Sequence, residues 1–185
     1  MGNIANIPNI LTLLRLLALP VFAYLALSNN GLLQLLAAIV FGLAALTDWL
    51  DGYLARKLHQ ASEFGATFDP LVDRIFLVIS LIVLYFTISG MVPLWSVLLL
   101  ASRDLLMVLG WIFFKTVRNT RVAVTYLGKV ATAILMISLF VLLASKSLQI
   151  MPGLYIGIVL FYVGLFLSVY TGIQYAVRAF SREVD

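Results

Sequence analysis

The chemistry available to this chain is concentrated in the segment TDWLDGYLARKLHQASEFGATFDPLVDR, Thr47 to Arg74. Asp48, Asp51, Gly52 and Ala55 fall at i, i+3, i+4 and i+7. On a helix they share an arc about 100° wide. Gly65, Asp69 and Asp73 fall at i, i+4 and i+8, on one face of a second helix. A connection of about six residues makes two such helices antiparallel neighbours, so the acidic faces can meet. Four carboxylates in one pocket cannot all stay ionised without cations. In a purely structural network, Arg56 and Arg74 could neutralise two of the four but not all. Oxygen-only donors suit hard divalent ions such as Mg2+, Mn2+ or Ca2+. Aspartates shared between two such ions form a two-metal clamp on phosphate oxygens during a displacement. Gly52, Ala55 and Gly65 lie on the acidic faces, where small residues let either a helix backbone or a flat ligand approach. Pro70 should free the carbonyl of Ala66 and kink its helix beside the acids.

The elements that carry these residues are apolar. The chain has 185 residues, 63% of them hydrophobic and 11% charged, with a mean hydropathy of +1.10. A soluble domain of that size has too little interior for so much apolar surface. In lipid, only helices or closed barrels satisfy the backbone, and the apolar runs are continuous rather than alternating. The expected fold is therefore all-α: a polytopic membrane protein with residues 1–185 as one domain. Cysteine is absent, which excludes disulfides and thiolate metal sites. His59 alone cannot build a histidine-rich metal site and reads as a wet loop residue. A net charge of +4 without a basic–aromatic stripe argues against a nucleic-acid partner. The opening MGNIAN lacks both a myristoylation pattern and the basic start of a signal peptide.

Six apolar spans are predicted, at roughly 8–28, 32–57, 63–88, 93–115, 122–145 and 150–178. Arg56 and Lys57 sit at the second break, Lys115, Arg118 and Arg121 at the fourth, and Arg178 and Arg182 near the C-terminus. The first and third breaks carry no basic residue, and the fifth has only Lys146. By the positive-inside rule, both termini and the acidic segment face the cytoplasm.

The run Asp48-x2-Asp51-Gly52-x2-Ala55-Arg56-x8-Gly65-x3-Asp69-x3-Asp73 resembles, without a gap, the signature of the CDP-alcohol phosphatidyltransferases. NIPNILTLLRLLALP (6–20) is similar to the first helix of that family, and LGKVATA (127–133) to its fifth. The resemblance implies a bundle of six transmembrane helices with a polar cavity open to the cytoplasm, in a bacterial-type inner membrane and as a homodimer. It implies that Asp48, Asp51 and Asp69 are metal ligands for one or two Mg2+ or Mn2+ ions. Asp73 becomes a ligand, the catalytic base, or both. Gly52 and Ala55 give cytidine room, while Arg56 and Gly65 help to hold the nucleotide. The implied substrate is CDP-diacylglycerol; an acceptor hydroxyl attacks the phosphatidyl phosphorus and CMP leaves.

The fourth span bears on the acceptor. Arg103 and Asp104 lie near the middle of ASRDLLMVLGWIFFKTVRNTR (101–121). One reading is a self-neutralised pair that holds helices together. The other places Arg103 at an acceptor phosphate, which its fork suits. Family members that use glycerol 3-phosphate resemble "ARE" here, with a second arginine eight residues on; this chain has Trp111 there. SRD and DPLVDR look more like the members that use phosphatidylglycerol and make cardiolipin. The expected acceptor is thus phosphatidylglycerol, with glycerol 3-phosphate as the runner-up. Arg118, Arg121 and Lys129 are further acceptor-site candidates that could rebuild a phosphate site. Intramembrane acids also mark divalent-cation transporters, but acids gathered at one end of the spans make a poor conduit.

Overall fold

The computed structural model describes the backbone of residues 7–58, 63–88, 90–117 and 126–181, and side chains within 10–47, 71–88, 90–110 and 126–177. Six helices run in chain order: α1 (Ile7–Ala26), α2 (Gly31–Leu58), α3 (Glu63–Thr87), α4 (Leu94–Val117), α5 (Tyr126–Ser147) and α6 (Met151–Ser181). No strand occurs among the described residues. The helices follow the predicted spans closely at both ends. α3 continues as helix through Pro70.

The turns between helices are held by short-range bonds. After α1, the Asn30 side chain accepts from the amide of Leu32, at 2.9 Å, and so caps the start of α2. Gln34 donates back to the Ser28 carbonyl at 2.7 Å. Between α3 and α4 the chain passes through Gly90 at φ 90°, a left-handed conformation that glycine adopts without a Cβ penalty.

Neighbouring helices form a closed circuit. α1 packs against α2 and α3, α2 against α5, α5 against α6, α6 against α4, and α4 against α3. Where α1, α2 and α3 converge, Phe22, Phe41 and Phe76 are almost fully buried and their rings meet. Phe41 stacks on Phe76 with centroids 5.4 Å apart, and Phe22 lies 5.6 Å from Phe41. This aromatic wedge ties the helices that carry the acidic signature together, one turn beyond Asp73.

Among the described residues, every helix exposes large apolar side chains. Leu17 and Tyr24 of α1, Leu43 of α2, Phe86 of α3, Leu106 of α4 and Phe166 of α6 are all exposed. An apolar exterior of this extent does not suit water. Two of the described helices, Tyr126–Ser147 and Met151–Val177, are long and apolar enough to cross a bilayer.

Candidate active site

The described part of the site is a layer of charged side chains inside the bundle, centred on α3. Asp73 and Arg74 are consecutive, so their side chains diverge by about 100° around the helix. α1 and α4 flank α3, and each receives one of the two. On the α1 side, the Arg15 guanidinium donates to Asp73 Oδ1. The Arg15 side chain is 2% exposed, whereas that of Asp73 is 33% exposed. A buried cation therefore backs a carboxylate that is still accessible.

On the α4 side, two arginines converge on one acid. Arg74 Nη1 donates to Asp104 Oδ1 at 2.6 Å, and Arg103 Nη1 donates to the same oxygen at 2.5 Å. Arg103 Nη2 also donates to Thr171 Oγ1 of α6, at 3.2 Å. Gly172, next along α6, makes this possible: a Cβ there would lie 3.1 Å from Arg103 Cγ. Asp104 is buried, and among the described residues neither its Oδ2 nor Arg103 Nε has a partner. Charges of this kind, taken out of water, cost several kcal/mol each unless they are well paired. Here a single carboxylate sits between two guanidiniums, so among the described residues the cluster keeps one positive charge in excess.

The sequence expectations map onto this frame as follows. Asp48, Asp51, Gly52, Ala55 and Arg56 fall in the last turns of α2, and Gly65 and Asp69 in the first turns of α3. Their side chains lie outside the described ones, as does that of Trp111 on α4. Arg118, Arg121 and His59 lie outside the described residues. Lys129 is exposed in the first turn of α5. Among the described residues, no three of His, Cys, Asp and Glu gather closely enough to hold a metal ion. Arg103 and Asp104 do form the self-neutralised pair that the sequence allowed, with Arg74 as a third member. Arg74 thus reaches Asp104 on α4.

A model of the family described as CDP-alcohol phosphatidyltransferase matches residues 5–170. The chain belongs to the CDP-alcohol phosphatidyltransferase family. Curated relatives match it over nearly their whole length. One from Wigglesworthia glossinidia brevipalpis is 37% identical over 92% of this chain and 92% of its own. One from Shigella flexneri serotype 5b is 33% identical over 97% and 98%, and one from Rickettsia felis 34% over 92% and 93%. All three are named CDP-diacylglycerol--glycerol-3-phosphate 3-phosphatidyltransferase. As a CDP-alcohol phosphatidyltransferase, the chain is a transferase of phospholipid biosynthesis and a membrane protein, and the transporter reading falls away.

Sequence reasoning missed several members of the phosphatidyltransferase's charged layer. Arg15 was visible as an arginine inside an apolar run, but nothing in the spacing pointed to Asp73, 58 residues away. Thr171 and Gly172 carry no signal at all in SVYTGIQY. Their part follows only from α6 packing against α4.

Proposed function

We propose that this protein transfers the phosphatidyl group of CDP-diacylglycerol to glycerol 3-phosphate and releases CMP. The observation that carries this reading is the agreement of full-length relatives, every one named here being named for that acceptor. It favours the runner-up over phosphatidylglycerol. The preference for phosphatidylglycerol rests on Trp111 and on the short stretches SRD and DPLVDR, and phosphate-binding cations can be supplied from elsewhere in the bundle. The excess positive charge at Arg74, Asp104 and Arg103 supports a phosphate-bearing acceptor.

The roles follow the signature. Asp48, Asp51, Asp69 and Asp73 form an all-carboxylate donor set, which fits hard divalent ions such as Mg2+ or Mn2+ in one or two sites. When bound, such ions neutralise the diphosphate and stabilise charge on the oxygens of the displacement. Gly52, Ala55, Arg56 and Gly65 hold the cytidine nucleotide. Asp73 accepts the proton of the acceptor hydroxyl as its oxygen bonds to the phosphatidyl phosphorus. The bond from that phosphorus to the bridging oxygen of CMP breaks. The Arg15 guanidinium fixes the rotamer of Asp73 and leaves its outer edge open to substrate. Arg103, Lys129, Arg118 and Arg121 hold the acceptor phosphate. In this reading the chain crosses a bacterial inner membrane six times, with the cavity and both termini at the cytoplasmic face, as a single-domain homodimer. The basic breaks and helix lengths of 20 to 31 residues support that arrangement.

The test is CMP release by purified protein offered CDP-diacylglycerol and each acceptor in turn. Glycerol 3-phosphate should support turnover, and phosphatidylglycerol should not. Asp69→Asn, or excess EDTA, should lower the rate by at least about a hundredfold. Turnover on phosphatidylglycerol alone would reverse the acceptor, and full activity in EDTA would remove the metal from the mechanism.

A further inference from the structure

We infer that Arg74 is a specificity residue of the acceptor site: together with Arg103 it grips the acceptor's phosphate, and Asp104 holds the two guanidiniums together until that phosphate arrives. The inference rests on the reading of glycerol 3-phosphate as acceptor, and names the side chain that selects it.

Charge is the first argument. Arg74 and Arg103 share one oxygen of Asp104, so one carboxylate faces two cations. Arg103 and Asp104 are 8% and 1% exposed, so solvent contributes little to balancing them. A buried excess positive charge is costly, and an anion relieves it. Unsatisfied atoms are the second argument. Among the described residues, Arg103 Nε and Asp104 Oδ2 have no partner. A resting structure built only to join helices would pair them, because an orphaned buried polar atom is costly. Position is the third. Of the three side chains, Arg74 is the most exposed, at 20%, so it is the one a ligand can reach first. It also follows Asp73 directly, and consecutive Cα atoms are about 3.8 Å apart. The two side chains leave α3 about 100° apart, so an acceptor lying across α3 has its hydroxyl toward Asp73 and its phosphate toward Arg74. A guanidinium fork matches two phosphate oxygens, which a lysine ammonium cannot do. The same arrangement supplies a second cation despite tryptophan at position 111.

The experiment separates this from the reading beneath it. CMP release is measured with full-length protein while glycerol 3-phosphate and CDP-diacylglycerol are varied in turn. Arg74→Met leaves Arg103 and Asp104 as a one-to-one pair, so the bundle should keep its unfolding temperature. Its KM for glycerol 3-phosphate should rise on the order of tenfold to a hundredfold, the loss of one charge-assisted contact. The KM for CDP-diacylglycerol should stay within about twofold. Arg74→Lys should fall between the two. If Arg74→Met does not fold, Arg74→Gln keeps a donor to Asp104 and should show the same rise. An unchanged acceptor KM, or an equal rise in both KM values, overturns the inference and leaves the enzyme's acceptor standing. No turnover of wild type on glycerol 3-phosphate overturns both.

Discussion

The α5–α6 hairpin and the charged layer on α3 and α4 are both buried, yet they are built on opposite terms. In the hairpin, small residues of α6 sit against leucines of α5. A Cβ at Gly157 would lie 2.6 Å from Leu142 Cγ, and one at Gly164 would lie 2.8 Å from Leu135 Cγ. The two pairs are one heptad apart on each antiparallel helix, so the backbones stay close over at least two turns. Ser138 donates to the Gly157 carbonyl at 2.9 Å, and Lys146, near the end of α5, donates to the Thr87 carbonyl of α3. These polar groups each end on a backbone acceptor. In the charged layer, by contrast, Arg74 and Arg103 both pair with Asp104, and among the described residues Arg103 Nε and Asp104 Oδ2 have no partner. The hairpin spends its close packing on stability. The layer leaves charge over, and that remainder is what a substrate can use.

The largest effect that could break this contrast is the loss of Asp104. Asp104→Ala would leave Arg74 and Arg103 in the bundle without a counter-ion. Removing one partner of a buried ion pair costs about 3–5 kcal/mol. Thermal unfolding in detergent should show a destabilisation of that order, and the further change Arg74→Met should recover part of it. An unfolding temperature equal to that of wild type would mean that the two arginines are solvated, and the layer would no longer differ in kind from the hairpin.

A smaller change of the opposite type tests the other half. Gly157→Ala adds one methyl group against Leu142, which is fully buried and has nowhere to go. Overpacking of this sort costs about 1–3 kcal/mol. The variant should unfold at a lower temperature, while the folded fraction keeps its CMP-release rate and both KM values. A selective change in one KM would show that the hairpin takes part in the site.

The two regions also differ in how far the sequence disclosed them. The six helices were legible because long apolar runs broken by short polar stretches leave few alternatives in lipid. The acidic signature stands out because Asp48 to Asp73 fall on two consecutive helices, where local spacing predicts which side chains share a face. The pairing of Arg15 with Asp73 was not, since it joins α1 to α3 and depends on which helices are neighbours. For the same reason Arg74 could be read as a partner for the nearby acids, although it reaches Asp104, 30 residues on. Local periodicity gives faces; it does not give partners. The glycines at 157 and 164 illustrate a second limit. Their seven-residue spacing is visible in the sequence, but whether such a stripe packs within the chain or against another copy is decided only by α5 lying on it.

The finest test compares the same chemical deletion in both regions. Ser138→Ala removes a hydroxyl that donates to a carbonyl across the hairpin. Thr171→Val removes a hydroxyl that accepts from Arg103 Nη2 and also bonds the Leu167 carbonyl of its own helix. Interhelical hydrogen bonds of this kind contribute about 0.6 kcal/mol on average in membrane proteins. Both variants should therefore shift thermal unfolding only slightly, and by similar amounts. They should part in kinetics. Ser138→Ala touches nothing that carries excess charge, so its KM for glycerol 3-phosphate should stay unchanged. Thr171→Val frees one arm of a guanidinium that is placed to hold the acceptor phosphate, and a misoriented fork binds less well. Its acceptor KM should rise roughly threefold, corresponding to about the same 0.6 kcal/mol. Measuring both KM values for the two variants beside wild type decides the matter. Equal kinetics in the pair would mean that Thr171 only packs α6 onto α4, and that Arg103 is held in place by Asp104 alone.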